Sequence, residues 1–191
     1  MAKERISLVM SLVCQRDPKL YTQCCLVGLH WSRMCHILGL SAQQIEQLLP
    51  GVLMHDERID KLALQEEILE DKLIQGIYSF PDSLSKENCL LLVADTFVRC
   101  LLDTRDLQVS IKGLSHRLRV SPWMKEKISS QISYLPHTYQ NRKKLLEQIG
   151  RERDYLHQMI EKFTDLSHPL VYGQSVWLDF LLVSADKFKK E

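Results

Sequence analysis

The sequence predicts an all-α fold, and three observations lead to that prediction. Apolar residues recur at steps of three and four through most of the 191 residues, which is the spacing that gives a helix one apolar face. No segment shows the strict alternation of apolar and polar residues that a half-buried strand requires. Seven glycines and six prolines are too few for the many turns of an all-β chain.

The composition is that of a globular protein, and it excludes two broad classes. Hydrophobic residues make up 45% and charged residues 26%, so the chain can build a core and is not of the disordered type. No apolar run reaches the roughly 18 residues of a membrane span, so we expect no membrane association. The first apolar run, Ile6–Cys14, is followed by Gln15 and Arg16 rather than by small residues, which predicts an amphipathic helix instead of a signal peptide.

The cysteines favour a reducing compartment. None of them forms a C-x-x-C pair, and the ligand spacing of a zinc site is missing. Most lie among Leu and Val, as small buried thiols do. We therefore expect reduced thiols in a cytoplasmic protein. The six cysteines are Cys14, Cys24, Cys25, Cys35, Cys89 and Cys100.

The first part of the chain carries the clearest helix boundaries. Asp17 before Pro18 is an N-cap followed by proline at the first helical position, and Gly39 stands where that helix should end. Ser41 and Gln44 have the spacing of a capping box, which starts the next helix. The apolar positions of the helix that begins at Pro18 are Leu20, Cys24, Val27, Trp31, Met34 and Leu38.

The remaining helices follow from the same spacing. Pro50 lies inside the helix that the capping box starts, and we expect a kink or a break there. The stretch from about Lys86 to Leu102 is apolar on nearly all sides, which predicts a helix in the centre of the fold. Other helices are predicted over Leu62–Ile74, Val109–Leu118, 122–134, 138–163 and 174–188, with a loop at 77–85.

The chain divides into two predicted parts and contains one local charge excess. Residues 1–133 form the predicted helical core with its N-terminal helix, and residues 134–191 form a helical extension that packs on the core or serves association. The net charge is only +1, but residues 110–153 hold ten Lys and Arg against three Asp and Glu. This basic zone favours contact with phosphate groups.

Three residues form the one constellation with metal chemistry. His55 and Asp56 are adjacent at the end of an apolar helix, where an imidazole nitrogen and a carboxylate oxygen can ligate one divalent cation. Asp95 lies inside the most apolar helix, and an ionised carboxylate there needs a partner. A metal ion, an arginine or a backbone cap would each supply that partner.

Five short motifs follow one another between Tyr21 and Arg105. They are Leu38-Gly39-Leu40-Ser41, His55-Asp56, Phe80-Pro81-Asp82-Ser83-Leu84, Val93-Ala94-Asp95-Thr96-Phe97 and Asp103-Thr104-Arg105. Their order resembles the HD superfamily of metal-dependent phosphohydrolases, and within it the HD-GYP branch. The resemblance covers a little under half of the chain. It implies an HD-like helical bundle in which His55, Asp56 and Asp95 belong to the metal-binding motifs.

The chain departs from this family at positions that catalysis needs. Gln23 stands where the family has its first histidine ligand. The family's HD-x-G-K pattern continues here as Glu57-Arg58-Ile59, without its Gly and Lys, and no histidine lies between this segment and Asp95. The three ligands that remain cannot build the two-metal centre that activates water and stabilises the leaving oxygen. We therefore predict a degenerate domain that has kept the fold and lost catalysis.

The function predicted on this basis is that of a non-catalytic regulatory or interaction module. It would act through a protein partner or a bound nucleotide such as a cyclic dinucleotide, whose phosphates Arg99, Arg105 or Arg119 could contact. We expect no cofactor, and a hydrogen-bonded cluster of His55, Asp56 and Asp95 in place of a metal centre. The alternative is a metal-dependent phosphohydrolase for cyclic di-GMP or another nucleotide, with one weakly held Mn, Fe or Zn ion on these three residues.

Two further interpretations stay open. Residues 110–128 resemble a helix-turn-helix, which would make the chain a nucleic-acid binder through phosphate contacts. Residues 138–163 carry an apolar seam that packs on the same chain or joins two copies as a homodimer. The candidate contact residues for a nucleotide or a nucleic acid are Arg105, Lys112, Arg117, Arg119 and Lys125.

Overall fold

A computed structural model describes residues 2–65, 86–107, 109–110 and 142–187 of the chain. This part of the chain contains seven α-helices and no strand, which confirms the all-α class. Among the helices so described, none combines the length and the hydropathy that a bilayer span requires. The helices are α1 (Ala2–Arg16), α2 (Pro18–Ile37), α3 (Ala42–Leu53), α4 (Glu57–Gln65), α5 (Lys86–Thr104), α6 (Arg142–Phe163) and α7 (Pro169–Lys187).

The chain forms two compact units, Met1–Leu92 and Val93–Glu191, and the boundary between them falls inside α5. The first unit holds α1 to α4, and the second holds the later part of α5 with α6 and α7. The domain boundary predicted between residues 133 and 134 lies outside the described residues, so it stays a prediction. The same is true of the predicted loop at 77–85 and the predicted helix over 122–134.

The starts of α2 and α3 are built as the sequence predicts. The Asp17 carboxylate accepts a hydrogen bond from the Leu20 N–H at 2.9 Å, and Pro18 opens α2. The Ser41 hydroxyl accepts from the Gln44 N–H at 3.3 Å, while the Ser41 N–H donates to the Gln44 side-chain oxygen at 2.9 Å. These side chains satisfy backbone donors that the first turn of a helix leaves without partners.

Backbone chemistry also explains how α2 ends and why α3 continues. Gly39, just past α2, has a φ of +83°, a left-handed conformation that glycine adopts without strain. The break that Pro50 favours does not occur, because α3 runs on to Leu53 and the Met54 N–H donates to the Pro50 carbonyl at 3.2 Å. Proline removes only its own N–H donor, so the hydrogen bonds of the residues after it remain.

Helix α2 forms the centre of the first unit. It packs against both α1 and α3, and α1 also packs against α4. Burial of large apolar side chains along α2 is the main stabilising term in this unit. The buried apolar residues of α2 are Leu20, Tyr21, Cys24, Cys25, Leu26, Val27, Leu29, Trp31, Met34 and Cys35.

In the second unit, α6 and α7 form a helical hairpin. Helix α6 ends at Phe163 as predicted, but α7 begins at Pro169, five residues before the predicted start at residue 174. That expectation was wrong because proline is favoured at the first position of a helix. Leu145, Ile149 and Met159 of the predicted seam are buried on α6, which packs against α7.

An aromatic contact joins α5 to α7 within the second unit. The rings of Phe97 and Trp177 meet edge to face, with their centroids 6.2 Å apart. Both side chains are almost fully buried, so the contact belongs to the core of this unit. The end of α5, where Arg105 follows, lies beside the later turns of α7, because Arg105 contacts Phe180 and Lys187 pairs with Asp106.

Candidate functional site

His55 and Asp56 lie in the short link between α3 and α4. Helix α3 ends at Leu53 and α4 begins at Glu57, so the two residues belong to neither helix. The Nδ1 atom of His55 lies 2.7 Å from the Val52 carbonyl oxygen, to which it donates a hydrogen bond. This bond fixes the half-buried imidazole against the last turn of α3.

The carboxylate of Asp56 is buried, and Arg58 pairs with both of its oxygens. Nε of Arg58 donates to Oδ1 at 2.8 Å, and Nη2 donates to Oδ2 at 2.7 Å. The backbone N–H of Arg58 also donates to Oδ1, at 3.0 Å. Bidentate charged hydrogen bonds of this kind are stronger than neutral ones and fix the relative orientation of the two groups. The carboxylate of Asp56 is therefore held in one orientation by Arg58.

The same guanidinium also reaches α2. Nη2 of Arg58 donates to Gln23 Oε1 at 2.9 Å, across 35 residues of sequence. Hydrogen bonding to Asp56 is the main cause that raises the pKa of Arg58, and the negative charges of Asp56 and Asp17 add to it while desolvation opposes it. The guanidinium is thus held in its charged form. We call Gln23, Asp56 and Arg58 the Arg58 cluster.

Asp95 has an arginine partner on its own helix. Nε of Arg99, one turn later on α5, donates to Asp95 Oδ2 at 2.7 Å. A carboxylate in apolar surroundings needs a partner, and a metal ion, an arginine or a backbone cap was expected for Asp95. The partner in the structure is an arginine. Asp95 belongs to the second unit, whereas His55 and Asp56 belong to the first.

The described side chains do not fit a resident metal ion. Both oxygens of Asp56 accept from Arg58, so a metal ion at Asp56 would have to displace a guanidinium, and Oδ2 of Asp95 accepts from Arg99. Within residues 2–65, 86–107, 109–110 and 142–187, no three His, Cys, Asp or Glu side chains are grouped so that they could hold one ion. The Arg58 cluster can anchor two elements electrostatically, and it offers no activated nucleophile.

Arg99 and Arg105 are the candidate nucleotide contacts that the structure describes, and Arg99 pairs with Asp95. Arg105 directly follows α5 with a φ of 52°, and its exposed side chain places the guanidinium 5.9 Å from the centroid of the Phe180 ring. Lys187 donates to the Arg105 carbonyl at 3.4 Å and pairs with Asp106 at 3.2 Å, which ties this turn to the end of α7. The other candidates, Lys112, Arg117, Arg119 and Lys125, lie outside the described residues.

A second buried polar group, absent from the sequence analysis, joins α6 to α7. Nε2 of the fully buried Gln174 donates to Glu152 Oε2 at 2.8 Å and to the Glu152 carbonyl at 3.0 Å. Gln148 donates to the other carboxylate oxygen of Glu152 at 2.7 Å. Glu152 lies between Ile149 and Leu156 in the apolar seam, and a polar residue at a seam position is the signal that could have revealed this contact.

The sequence singles out Gln23 and Arg58 only as departures from a metal-binding motif, and the structure brings them together. The pairing of Arg58 with Asp56 has a local signal, an acidic residue just before an arginine at a helix start. The contact with Gln23 has none, because it depends on how α2 packs beside the α3–α4 link.

The resemblance to the HD superfamily rests on the motifs of the sequence. No family model, curated protein or solved structure matches the chain. The interpretation of the site therefore rests on two ion pairs, Asp56 with Arg58 and Asp95 with Arg99.

Proposed function

We propose that this chain is a non-catalytic regulatory or interaction module, a degenerate HD-type domain without metal chemistry. One observation supports this most. Asp56 and Asp95, the two carboxylates that the motifs assign to metal binding, are each paired with an arginine at 2.7 Å. Arg58 engages both oxygens of Asp56, and Arg99 engages Oδ2 of Asp95.

A guanidinium beside a carboxylate opposes metal binding in two ways. It occupies oxygen lone pairs that a metal ion would use, and its positive charge repels a second cation. Two unit charges 4 Å apart interact by about 4 kcal/mol near a protein surface, and a divalent ion doubles that repulsion. Asp56 is the stronger case, because its ion pair is bidentate and its carboxylate is buried.

The module is proposed to act through a protein partner or a bound nucleotide. Arg105 is exposed at the end of α5, and its guanidinium lies over the Phe180 ring. An arginine beside an aromatic ring can contact a phosphate while the ring offers a stacking surface to a base. A cyclic dinucleotide carries both groups, and it is the nucleotide that we propose.

Hydrolysis assays test the loss of catalysis. Cleavage of cyclic di-GMP and of bis(p-nitrophenyl) phosphate is measured with Mn²⁺, Fe²⁺ and Zn²⁺, in the wild type and in a His55→Ala, Asp95→Ala double variant. We expect equal background rates in both proteins. Metal-dependent cleavage that the double variant loses would instead establish the phosphohydrolase alternative, with His55, Asp56 and Asp95 as ligands.

Calorimetry tests the nucleotide. Cyclic di-GMP is titrated into the wild type, into Arg105→Ala and into Lys144→Ala, which removes an exposed cation on α6 as a control. We expect binding to weaken about tenfold in Arg105→Ala, because a charged hydrogen bond to phosphate is lost. Binding to the control should equal that of the wild type. A wild type that binds no cyclic di-GMP would exclude this nucleotide and leave the protein partner.

A nucleic-acid binder is the second candidate, and the exposed charge on α6 favours it. Arg142, Lys144 and Arg153, which belong to the basic zone of residues 110–153, are all exposed. Neutralising Arg119 and Lys125 in the predicted helix-turn-helix should weaken binding to duplex DNA and reduce its salt dependence. Fluorescence anisotropy over a salt series measures both quantities. Equal binding by the wild type and the double variant would contradict this candidate.

A further inference from the structure

Arg58 brings together two buried oxygen atoms from separate elements. Its Nη2 atom lies 2.9 Å from Gln23 Oε1 on α2 and 2.7 Å from Asp56 Oδ2 in the link between α3 and α4. Both acceptors are buried, with Gln23 7% and Asp56 5% exposed. A bound metal cation also gathers oxygen atoms from separate elements around itself. Here the group at the centre of the oxygen atoms is Nη2 of Arg58.

Burial makes a positive partner necessary at this place. A carboxylate removed from water is costly unless it is paired and hydrogen-bonded. Arg58 meets this demand with hydrogen bonds to Asp56 from Nε, Nη2 and the backbone N–H. The side chain of Arg58 is itself 45% exposed, so its own desolvation is only partial while it satisfies the buried acceptors.

We propose that the Arg58 guanidinium is a built-in cation in the place of a metal ion, so that Gln23 and Asp56 form a guanidinium site that joins α2 to the α3–α4 link. The inference rests on the proposed loss of metal chemistry and extends it by naming the group that fills the site. The planar fork of arginine matters, because a lysine ammonium is a point charge that cannot match both Asp56 oxygens and Gln23 together.

The test removes the side chain and returns its head group as a free ion. Arg58→Gly should lower the melting temperature, and millimolar ethylguanidinium chloride should restore part of the loss relative to the same concentration of sodium chloride, because the ion binds only the folded site. Arg99→Gly is the matched control, since Arg99 also pairs with an aspartate but on one exposed helix face. Ethylguanidinium should leave this control and the wild type unchanged.

Metal ions are the competing occupants, so Mn²⁺ and Zn²⁺ are added in parallel. The inference predicts that neither ion raises the melting temperature of the wild type. It is overturned if either metal stabilises the wild type, or if Arg58→Gly responds to a metal and not to ethylguanidinium. Metal-dependent hydrolysis by the wild type overturns the proposed function, whereas the lack of an ethylguanidinium response in Arg58→Gly overturns this inference alone.

Where Arg58→Gly does not fold, a milder pair of variants keeps the inference testable. Arg58→Gln and Asp56→Asn retain most of the side-chain shape and remove the charges. Their double-mutant cycle should show a coupling of about tenfold in the unfolding equilibrium constant. The matched cycle with Arg99→Gln and Asp95→Asn should show about twofold, as for an exposed pair one turn apart on a helix. Equal coupling in the two cycles would overturn the inference.

Discussion

At the scale of single residues, burial separates two ion pairs of the same chemistry. Asp56 and Asp95 each accept a hydrogen bond from an arginine at 2.7 Å, but the Asp56 side chain is 3% exposed and the Asp95 side chain 17%. Water and salt weaken the Asp95 pair more, whereas loss of one partner at Asp56 leaves a buried polar site unsatisfied. One kind of contact therefore contributes differently to stability at the two places.

The first prediction compares these two carboxylates. Asp56→Ala should lower the free energy of unfolding by about 2 kcal/mol, because Arg58 loses the carboxylate that holds it beside the buried Gln23 side chain. Asp95→Ala, the matched change in the more exposed pair, should cost about 0.5 kcal/mol. Urea denaturation followed by circular dichroism measures both values. Equal losses would show that burial does not distinguish the two pairs.

The second prediction concerns the cysteines. Burial raises the pKa of the Cys25 thiol well above its usual value, and the neighbouring Cys24 thiol adds to the effect. Cys14 is exposed. Because the thiolate is the reactive form, iodoacetamide should modify Cys14 first and Cys25 only on unfolding. Peptide mass spectrometry over time follows the reaction, and Cys14→Ser should remove its fast phase. Native Cys25 reacting as fast as Cys14 would refute the prediction.

At the scale of helices, polar side chains set both the boundaries and the pairing. Ser41 and Gln44 begin α3 through reciprocal hydrogen bonds between side chain and backbone. Gln174 and Glu152 link α7 to α6 at a buried position, where a polar pair fits only one register of the two helices. The cap at Ser41 acts within one helix turn, whereas the contact of Gln174 with Glu152 depends on how the two helices pack. A separate prediction tests each of them.

The third prediction tests the start of α3. Ser41→Ala should lower the free energy of unfolding by about 1 kcal/mol, because the Gln44 N–H loses its side-chain acceptor. Gln43→Ala changes an exposed residue of the same turn and serves as the control, with a change close to zero. Urea denaturation measures both variants. A Ser41→Ala protein as stable as the control would show that the cap contributes nothing.

The fourth prediction tests the hairpin of α6 and α7. Gln174→Leu should cost about 2 kcal/mol, because it removes two hydrogen bonds from a buried carboxylate and its carbonyl. Adding Glu152→Leu should recover part of that loss, since two apolar groups can pack where one isolated polar group cannot. Gln158→Leu on the exposed side of α6 is the control. Additive losses in the double variant would contradict the coupling of Gln174 and Glu152.

At the scale of the whole molecule, each unit has a core of its own. Trp31 is buried in the first unit and Trp177 in the second. The buried carboxylates of Asp56 and Glu152 are held by Arg58 and Gln174 of the chain itself. The described parts of both units thus supply hydrogen-bond donors to these carboxylates from their own side chains, so we expect the molecule to be stable without a bound ion.

The fifth prediction is that metal removal changes nothing. Protein dialysed against EDTA should melt at the same temperature as untreated protein, and elemental mass spectrometry should find well below one equivalent of Mn, Fe or Zn. The control is the His55→Ala, Asp95→Ala double variant, which should show the same trace content. About one equivalent in the wild type, lost in the double variant, would return these residues to the role of metal ligands.

Much of the helical fold is predictable because its signals are local. Asp17 with Pro18, and Ser41 with Gln44, act within a single turn, so the starts of α2 and α3 are readable from neighbouring residues. The predicted start of α7 was wrong: the helix begins at Pro169. Proline is compatible with both a turn and the first turn of a helix, so its presence does not fix the helix start. Packing against α6 decides between them, and packing is not a local property.

Local sequence signals predict the all-α class, the main helix caps and a partner for Asp95, and Arg99 is that partner one turn away. They also mark His55 and Asp56 as the residues to examine. The contact of Arg58 with Gln23 depends on the tertiary structure, because Gln23 reaches Arg58 across 35 residues through the packing of α2. Helix periodicity determines which face of a helix is buried, whereas the meeting of two distant polar groups depends on how separate helices pack.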